Sequence, residues 1–411
     1  MPENITTVGI IAEYNPFHNG HKYQIEEARR RTGAENIVIA MSGDFMQRGT
    51  PAWIDKYLRT KMALENGADF VFELPTAFAS ASAEGFAAAG VSLLTGLGFV
   101  DGLCFGAECT STRPLKKAAE LLLDPPAAFS GMIKSKVAAG ISYPAARESS
   151  INMLFPELVE ETPNLFSSPN NILAIEYLKA IIESGSRLTP ILIERSGAGY
   201  HDTELFENET GTFLSSAAIR ELFEKETPEQ FFEKVSDYIP KSVKKILQEN
   251  PDAYPVSIDD FFDLFYYRLL KLSDEDLKIA DMSDEIYHRI QNTRKDYTTV
   301  SEYIHMLKTK QYTHTRISRV LLHLLLDIHA QTTTEVPYAR LLGFRREKSA
   351  LLKQVRKIPV ITKPADGRSI LSDDKDALAL YEKDIFAADL YTRIQKKKTP
   401  GQELSGGPVI L

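Results

Sequence analysis

Four short apolar, β-favouring runs punctuate the first third of the chain: Val8 to Glu13, Ile37 to Met41, Phe70 to Leu74 and Leu103 to Phe105. Their interval of roughly thirty residues suits βαβ units. Between them, from Tyr23 to Arg31 and from Lys56 to Glu65, apolar residues recur at three- and four-residue spacings, which predicts helices. The alternation predicts an α/β fold with a parallel sheet covered by helices, whose ligands bind beyond the carboxyl ends of the strands. Ala81 to Val100 is apolar but short and interrupted by Glu84 and Ser92, so it predicts a buried helix rather than a membrane span. Further on, the pattern predicts a helix after Ser168-Pro169-Asn170, a strand over Leu188 to Glu194, and a helix carrying Ile219 and Leu222 with its N-cap at Ser215-Ser216. Beyond about Glu224 strand signals thin out. Ser257 to Ala330 reads as several helices with breaks at Ser273, Ser283 and Thr298-Thr299, and Tyr338 to Leu411 as a basic helix, a Val360-Ile361 strand candidate and a Gly-Pro-rich tail. Two domains are therefore expected, 1–224 with the sheet and 225–411 mainly helical, in line with a length of 411 residues.

Composition changes this picture little: 43% hydrophobic and 25% charged residues are those of a folded globular protein. Cys104 and Cys109 are too few for a disulfide framework or a zinc site of the usual kind, and no secretory signal opens the chain, so a cytoplasmic location is expected. The net charge of −8 argues against indiscriminate nucleic-acid binding but not against local basic patches.

The first place to look for chemistry is Asn15-Pro16-Phe17-His18-Asn19-Gly20-His21, after the first strand and before a helix. A helix start offers unpaired N–H groups and a positive dipole end, and a glycine lets a phosphate approach the backbone. His18 and His21, the candidate catalytic residues, would donate to a triphosphate as charge shifts toward pyrophosphate during attack at the α-phosphorus. A bare pair of histidines would more often be a cap; the order strand, turn, glycine, helix favours the phosphate site. A second helix start, Ser215-Ser216-Ala217-Ala218-Ile219-Arg220, supplies two hydroxyls and, one turn on, a guanidinium that would hold the β- and γ-phosphates from the other side.

Together these motifs resemble the HxGH nucleotidyltransferase superfamily, whose second signature reads I-S-S-T-x-x-R; Leu214 and Ala217 replace its isoleucine and threonine here. With Met41-Ser42-Gly43-Asp44-Phe45-Met46-Gln47-Arg48-Gly49, Phe72-Glu73-Leu74-Pro75, Phe105-Gly106-Ala107-Glu108, Ser168-Pro169-Asn170-Asn171 and Gly197-Ala198-Gly199-Tyr200-His201-Asp202, the chain resembles the bacterial tRNA(Met) cytidine acetate ligase family. The resemblance implies a Rossmann-like nucleotidyltransferase domain and a two-step reaction. ATP and acetate would give acetyl-adenylate and pyrophosphate, and the acetyl group would pass to N4 of the wobble cytidine of elongator tRNA(Met). It further implies an ATP cradle formed by Ile11, Ala12, Glu13, Tyr14, Asn15, Pro16, Phe17, His18, Asn19, Gly20, His21, Lys22, Tyr23 and Gln24, with Gly106, Asn170, Asn171 and Arg195 at other nucleotide-contacting positions. Gly106 would admit adenosine against bare backbone. An amide of the asparagine pair would read adenine or ribose, although helix capping explains one of them equally well. Arg195 at a strand end suits phosphate, a carboxylate or a surface ion pair. Lys56, Arg59 and Lys61 on one helix read as a solvated charged face from which one would meet phosphate or acetate. Magnesium is expected with ATP, and no protein metal site is predicted.

Basic stretches in the second half suit an RNA partner. Arg340 to Lys363 holds eight Lys and Arg residues against Glu347 alone, and Ile286 to Arg319 interleaves cations with Tyr287, Tyr297, Tyr303 and Tyr312. Arg316, Arg319, Arg345 and Arg346 are the candidate tRNA contacts. Two other readings compete: a small-molecule nucleotidyltransferase or acyl-adenylate-forming amide ligase, and an RNA-binding protein with a vestigial nucleotide site. The basic, aromatic-rich second half argues against the first, and intact His18, Gly20, His21, Ser215, Ser216 and Arg220 against the second. The sequence specifies no oligomeric state.

Overall fold

The computed structural model describes residues 5–162, 164–195, 206–208, 211–395 and 402–411. The expected runs form β1 (Thr7–Ala12), β2 (Asn36–Ser42), β3 (Phe70–Leu74), β4 (Gly102–Ala107) and β5 (Thr189–Glu194). All pair in parallel in the order β3-β2-β1-β4-β5. Sheet growth thus reverses between β1 and β4, and a crevice opens there beyond the strand ends. Along β2, Ile37, Ile39 and Met41 enter one apolar core while Val38 and Ala40 enter the other. Burial on both faces is why these strands read as unbroken apolar runs.

The helix Ala83–Leu97 lies where a buried helix is expected; Ser82 Oγ caps it at the Gly85 N–H, and Gly98 ends it with φ 79. Gly90 brings it onto β1, since a Cβ there would stand 2.5 Å from Ile11 Cδ1. Among the described residues no helix is long and apolar enough to cross a membrane.

The sheet does not end with the first half of the chain. After a separate antiparallel pair, β6 (Phe206–Asn208) and β7 (Gly211–Phe213), β8 (Ala339–Phe344) joins β3 antiparallel, and β9 (Val360–Ile361) and β10 (Val409–Ile410) pair in parallel with β8. Val360-Ile361 is the expected strand, but the basic helix expected in this region is replaced by β8 and a 3-10 run over Arg346–Gln354. β8 satisfies the edge that β3 would otherwise expose. The expected division at 224 is therefore not a division of the sheet, although the remainder of the second half is mainly helical.

This junction buries charge. Lys56 and Arg59, expected on a solvated face of the helix Lys56–Glu65, are 1% and 0% exposed. Lys56 Nζ lies 2.8 Å from both Glu73 Oε1 and Glu403 Oε1 and 3.5 Å from Asp44 Oδ2. Arg340, expected in an RNA-facing stretch, is 1% exposed; it pairs with Glu403 and has Nη1 3.1 Å from Glu73 Oε2. Arg59 donates to the carbonyl oxygens of Glu13, Ser42, Gly43 and Ile54, fixing the turns after β1 and β2.

The helix His314–Leu326 docks on the loop after β2 through Gly49, whose carbonyl accepts from Ser318 Oγ at 2.8 Å. Gly49 has φ 75, and a Cβ there would lie 2.3 Å from Arg319 N and 2.4 Å from Ser318 C. Backbone cannot yield as a side-chain tip does. Gly49→Ala is therefore expected to lower unfolding free energy by roughly 2–5 kcal/mol, from left-handed strain and overpacking together, as read from the urea midpoint.

Candidate active site

The turn from β1 into the helix Asn19–Thr32 places both histidines at the crevice. His18 is the N-cap; its Nδ1 accepts the Gly20 N–H at 3.0 Å, and His21 Nδ1 accepts the His18 N–H at 3.2 Å. A neutral ring whose Nδ1 accepts must carry its proton on Nε2, so the bonding pattern makes both Nε2–H groups donors. The two rings stack with centroids 3.6 Å apart. Burial, and then nearby Arg195, holds the His18 imidazolium down to about 3. Burial, His18 and Arg195 hold His21 well below its ordinary value. Both rings are thus neutral donors at neutral pH. Gly20 is needed for a reason beyond phosphate approach: a Cβ there would stand 2.9 Å from His18 Cε1.

The second motif arrives beside the first, as expected. Ser215 caps the helix Ser216–Lys225 by accepting the Ala218 N–H at 3.1 Å. Ser216 Oγ donates to Pro16 O at 3.0 Å and Arg220 Nη1 to Asn15 O at 2.5 Å. Their hydroxyl and guanidinium groups therefore bind the turn that carries the histidines. Phe213 packs on Tyr23 with ring centroids 5.9 Å apart. Asn19 is tied outward, its N–H to Tyr238 O and its side-chain amide to Asp237 O.

The rest of the expected cradle divides. Ile11, Tyr14, Pro16 and Phe17 are buried, so their side chains build the turn's support. Asn15 is buried and its Oδ1 accepts the Trp53 N–H at 2.7 Å. Ala12, Glu13, Lys22, Tyr23 and Gln24 are half-buried; Lys22 faces Glu26, and Gln24 Nε2 reaches Cys104 O at 3.5 Å. Gly106 is the penultimate residue of β4 across the crevice, where a Cβ would lie 2.9 Å from Arg195 Cδ, so its bareness admits the arginine as well as a ligand. Arg195 follows β5 directly and bonds through its N–H to Ala107 O. Neither asparagine of the pair is the cap. Ser168 is the N-cap residue of the helix Pro169–Glu183, and Glu108 closes that helix start by accepting from Asn170 Nδ2 at 2.7 Å and Asn171 N at 2.9 Å. Asn171 is 1% exposed with Oδ1 on Cys109 N, whereas Asn170 remains half-buried near the mouth. The string Gly197 to Asp202 lies outside the described residues.

Sequence reasoning gave no role to Gln47, whose N–H donates to Glu13 Oε1 at 2.7 Å, or to Glu108 and Trp53. All three partners join segments distant in sequence, and only the family strings flagged Gln47 and Glu108. The candidate tRNA contacts also separate. Arg319 Nε pairs with Asp281 at 2.7 Å, its side chain 11% exposed. Arg316 Nη2 donates to Asp281 O, and its guanidinium covers the Tyr312 ring. Arg345 bonds Leu64 O and Ala68 O at the end of the helix Lys56–Glu65. All three support packing. Arg346 is exposed, as are Lys353, Arg356, Lys357 and Lys363.

Residues 5–405 match the family described as HIGH Nucleotidyl Transferase. A Thermoanaerobacter sp. (strain X514) protein named tRNA(Met) cytidine acetate ligase is 37% identical over 401 residues, covering 95% of this chain and 96% of that one. An Acetivibrio thermocellus protein of the same name is 36% identical over 98% of this chain and 99% of its own. Among solved structures, Thermotoga maritima TmcAL in its apo form I superposes with TM-score 0.90 at 29% identity over 99% of this chain and 100% of that one. The same protein bound with alpha-thio ATP gives TM-score 0.88 at 27% identity, with the same coverage.

Proposed function

This chain belongs to the tRNA(Met) cytidine acetate ligase family, within the HIGH nucleotidyl transferases, and from that premise we propose that it activates acetate with ATP and acetylates N4 of the wobble cytidine of elongator tRNA(Met). The observation that carries the first step is the pair of neutral imidazoles with Nε2–H groups available at a helix start, beside Arg195. An acetate oxygen attacks the α-phosphorus, the bond to the β-phosphate oxygen breaks, and pyrophosphate leaves with charge that these donors stabilise. Positioning and electrostatics suffice, because acetate is already an anion and no proton moves.

Among the described residues no group of three or more His, Cys, Asp or Glu side chains converges as a metal cage. We propose that magnesium enters with the MgATP substrate, held by phosphate oxygens. For the RNA, the exposed cations Arg346, Lys353, Arg356, Lys357 and Lys363 support phosphate contacts from the segment beside β8 and β9.

Pyrophosphate exchange into ATP tests this reading. Exchange that requires acetate, and is weaker with propionate or other small carboxylates, is the expected result. Exchange without any carboxylate would point to nucleotidyl transfer onto another acceptor, and no exchange at all to a vestigial site.

A further inference from the structure

Resting on that two-step reading, we infer that Glu13 is the base of the second step, accepting the proton that the cytidine amine loses as its acetyl bond forms. The first step needs no base. In the second, the N4 lone pair attacks the acetyl carbonyl carbon, the bond from that carbon to the adenylate phosphate oxygen breaks, and AMP leaves with the electron pair. One N4 proton must then be taken up.

The strand ends offer a limited choice. Each of the five parallel strands carries a carboxylate at or beside its carboxyl end: Glu13, Asp44, Glu73, Glu108 and Glu194. Asp44 and Glu73 are buried around Lys56. Both oxygens of Glu108 close the helix Pro169–Glu183. Glu194 ends β5, which β4 separates from β1, and its side chain is exposed. Glu13 alone follows the central strand, five residues before His18, and it is half-buried.

Its placement is fixed from both ends. Arg59 holds its carbonyl, and the Gln47 N–H holds Oε1. Its carboxylate also acts with burial to raise the hydroxyl of Tyr177, whose ring lies 5.8 Å from that of Phe105 on β4, so Glu13 is felt on the crevice side of β1. The two histidines cannot take this role as they stand, because each Nδ1 already accepts a backbone N–H and each Nε2 carries the ring proton.

The test separates the two steps. Glu13→Gln keeps an oxygen for the Gln47 N–H but removes the base. With synthetic acetyl-adenylate at saturation and tRNA(Met) as acceptor, transfer by this variant is expected to fall about a hundredfold or more, the low end of general-base effects. Acetate-dependent pyrophosphate exchange, in contrast, should fall by less than about tenfold, so that transfer is the step preferentially lost. Transfer from acetyl-adenylate within about threefold of wild type, or equal losses in both assays, would overturn the assignment. A wild-type protein lacking acetate-dependent exchange but transferring acetyl from synthetic acetyl-adenylate would defeat the activation step alone; the transfer rate of Glu13→Gln, about a hundredfold down or within about threefold of wild type, would still decide the assignment.

Discussion

His21→Ala is expected to lower acetate-dependent pyrophosphate exchange by about 10²–10³-fold, the range for loss of one preorganised donor to developing charge. His21 does more than present Nε2–H. Its Nδ1 holds the His18 N–H and its ring stacks on His18 at 3.6 Å, so its removal also frees the second donor. The effect should therefore lie toward the upper end of that range and appear mainly in kcat. The apolar support from Tyr14 and Phe17, 1% and 0% exposed, remains, so the unfolding midpoint should move little. Exchange at the wild-type rate would remove the histidines from the mechanism.

Arg340→Met is expected to cost about 3–5 kcal/mol of stability, because it strands carboxylates that are buried and already outnumber their cations. Lys56 and Arg340 face Glu73, Glu403 and Asp44, all of them 6% exposed or less at the side chain. Removing one cation leaves three carboxylates around a single lysine. Burial and Glu73 already raise the neighbouring Asp384 carboxyl to about 6. Combining Arg340→Met with Glu403→Gln should recover part of the loss, a positive coupling that a double-mutant cycle in urea would measure. Arg340→Met within about 0.5 kcal/mol of wild type would mean that the cluster does not hold β8 and residues 402–411 to β3.

The parallel sheet was legible because its strands, buried on both faces, spell continuous apolar runs, and the turn that carries His18 and His21 because strand, Pro-Phe, glycine and helix follow one another within a dozen residues. Ser215 and Arg220 were legible for the same local reason. What the sequence concealed depends on partners far along the chain. Lys56 and Arg340 look like solvent-facing cations until Glu73 and Glu403 are brought to them, the latter 347 and 63 residues away respectively. Arg319 likewise looks like an RNA contact until Asp281 meets it. β8 lies hidden beside a run of Lys and Arg that suggests a surface helix, and only the need to cover the edge of β3 explains a strand there. The asparagine pair fits the same pattern: a distant carboxylate, Glu108, closes the helix start and leaves Asn171 buried behind Asn170.

The most direct measurement is incubation of the purified protein with ATP, radiolabelled acetate and unmodified elongator tRNA(Met), followed by nucleoside digestion and chromatography. The expected result is label in N4-acetylcytidine, absent without ATP, with AMP and pyrophosphate formed in step with it. Label in no nucleoside despite acetate-dependent exchange, or acetylation that proceeds without ATP, would contradict the account.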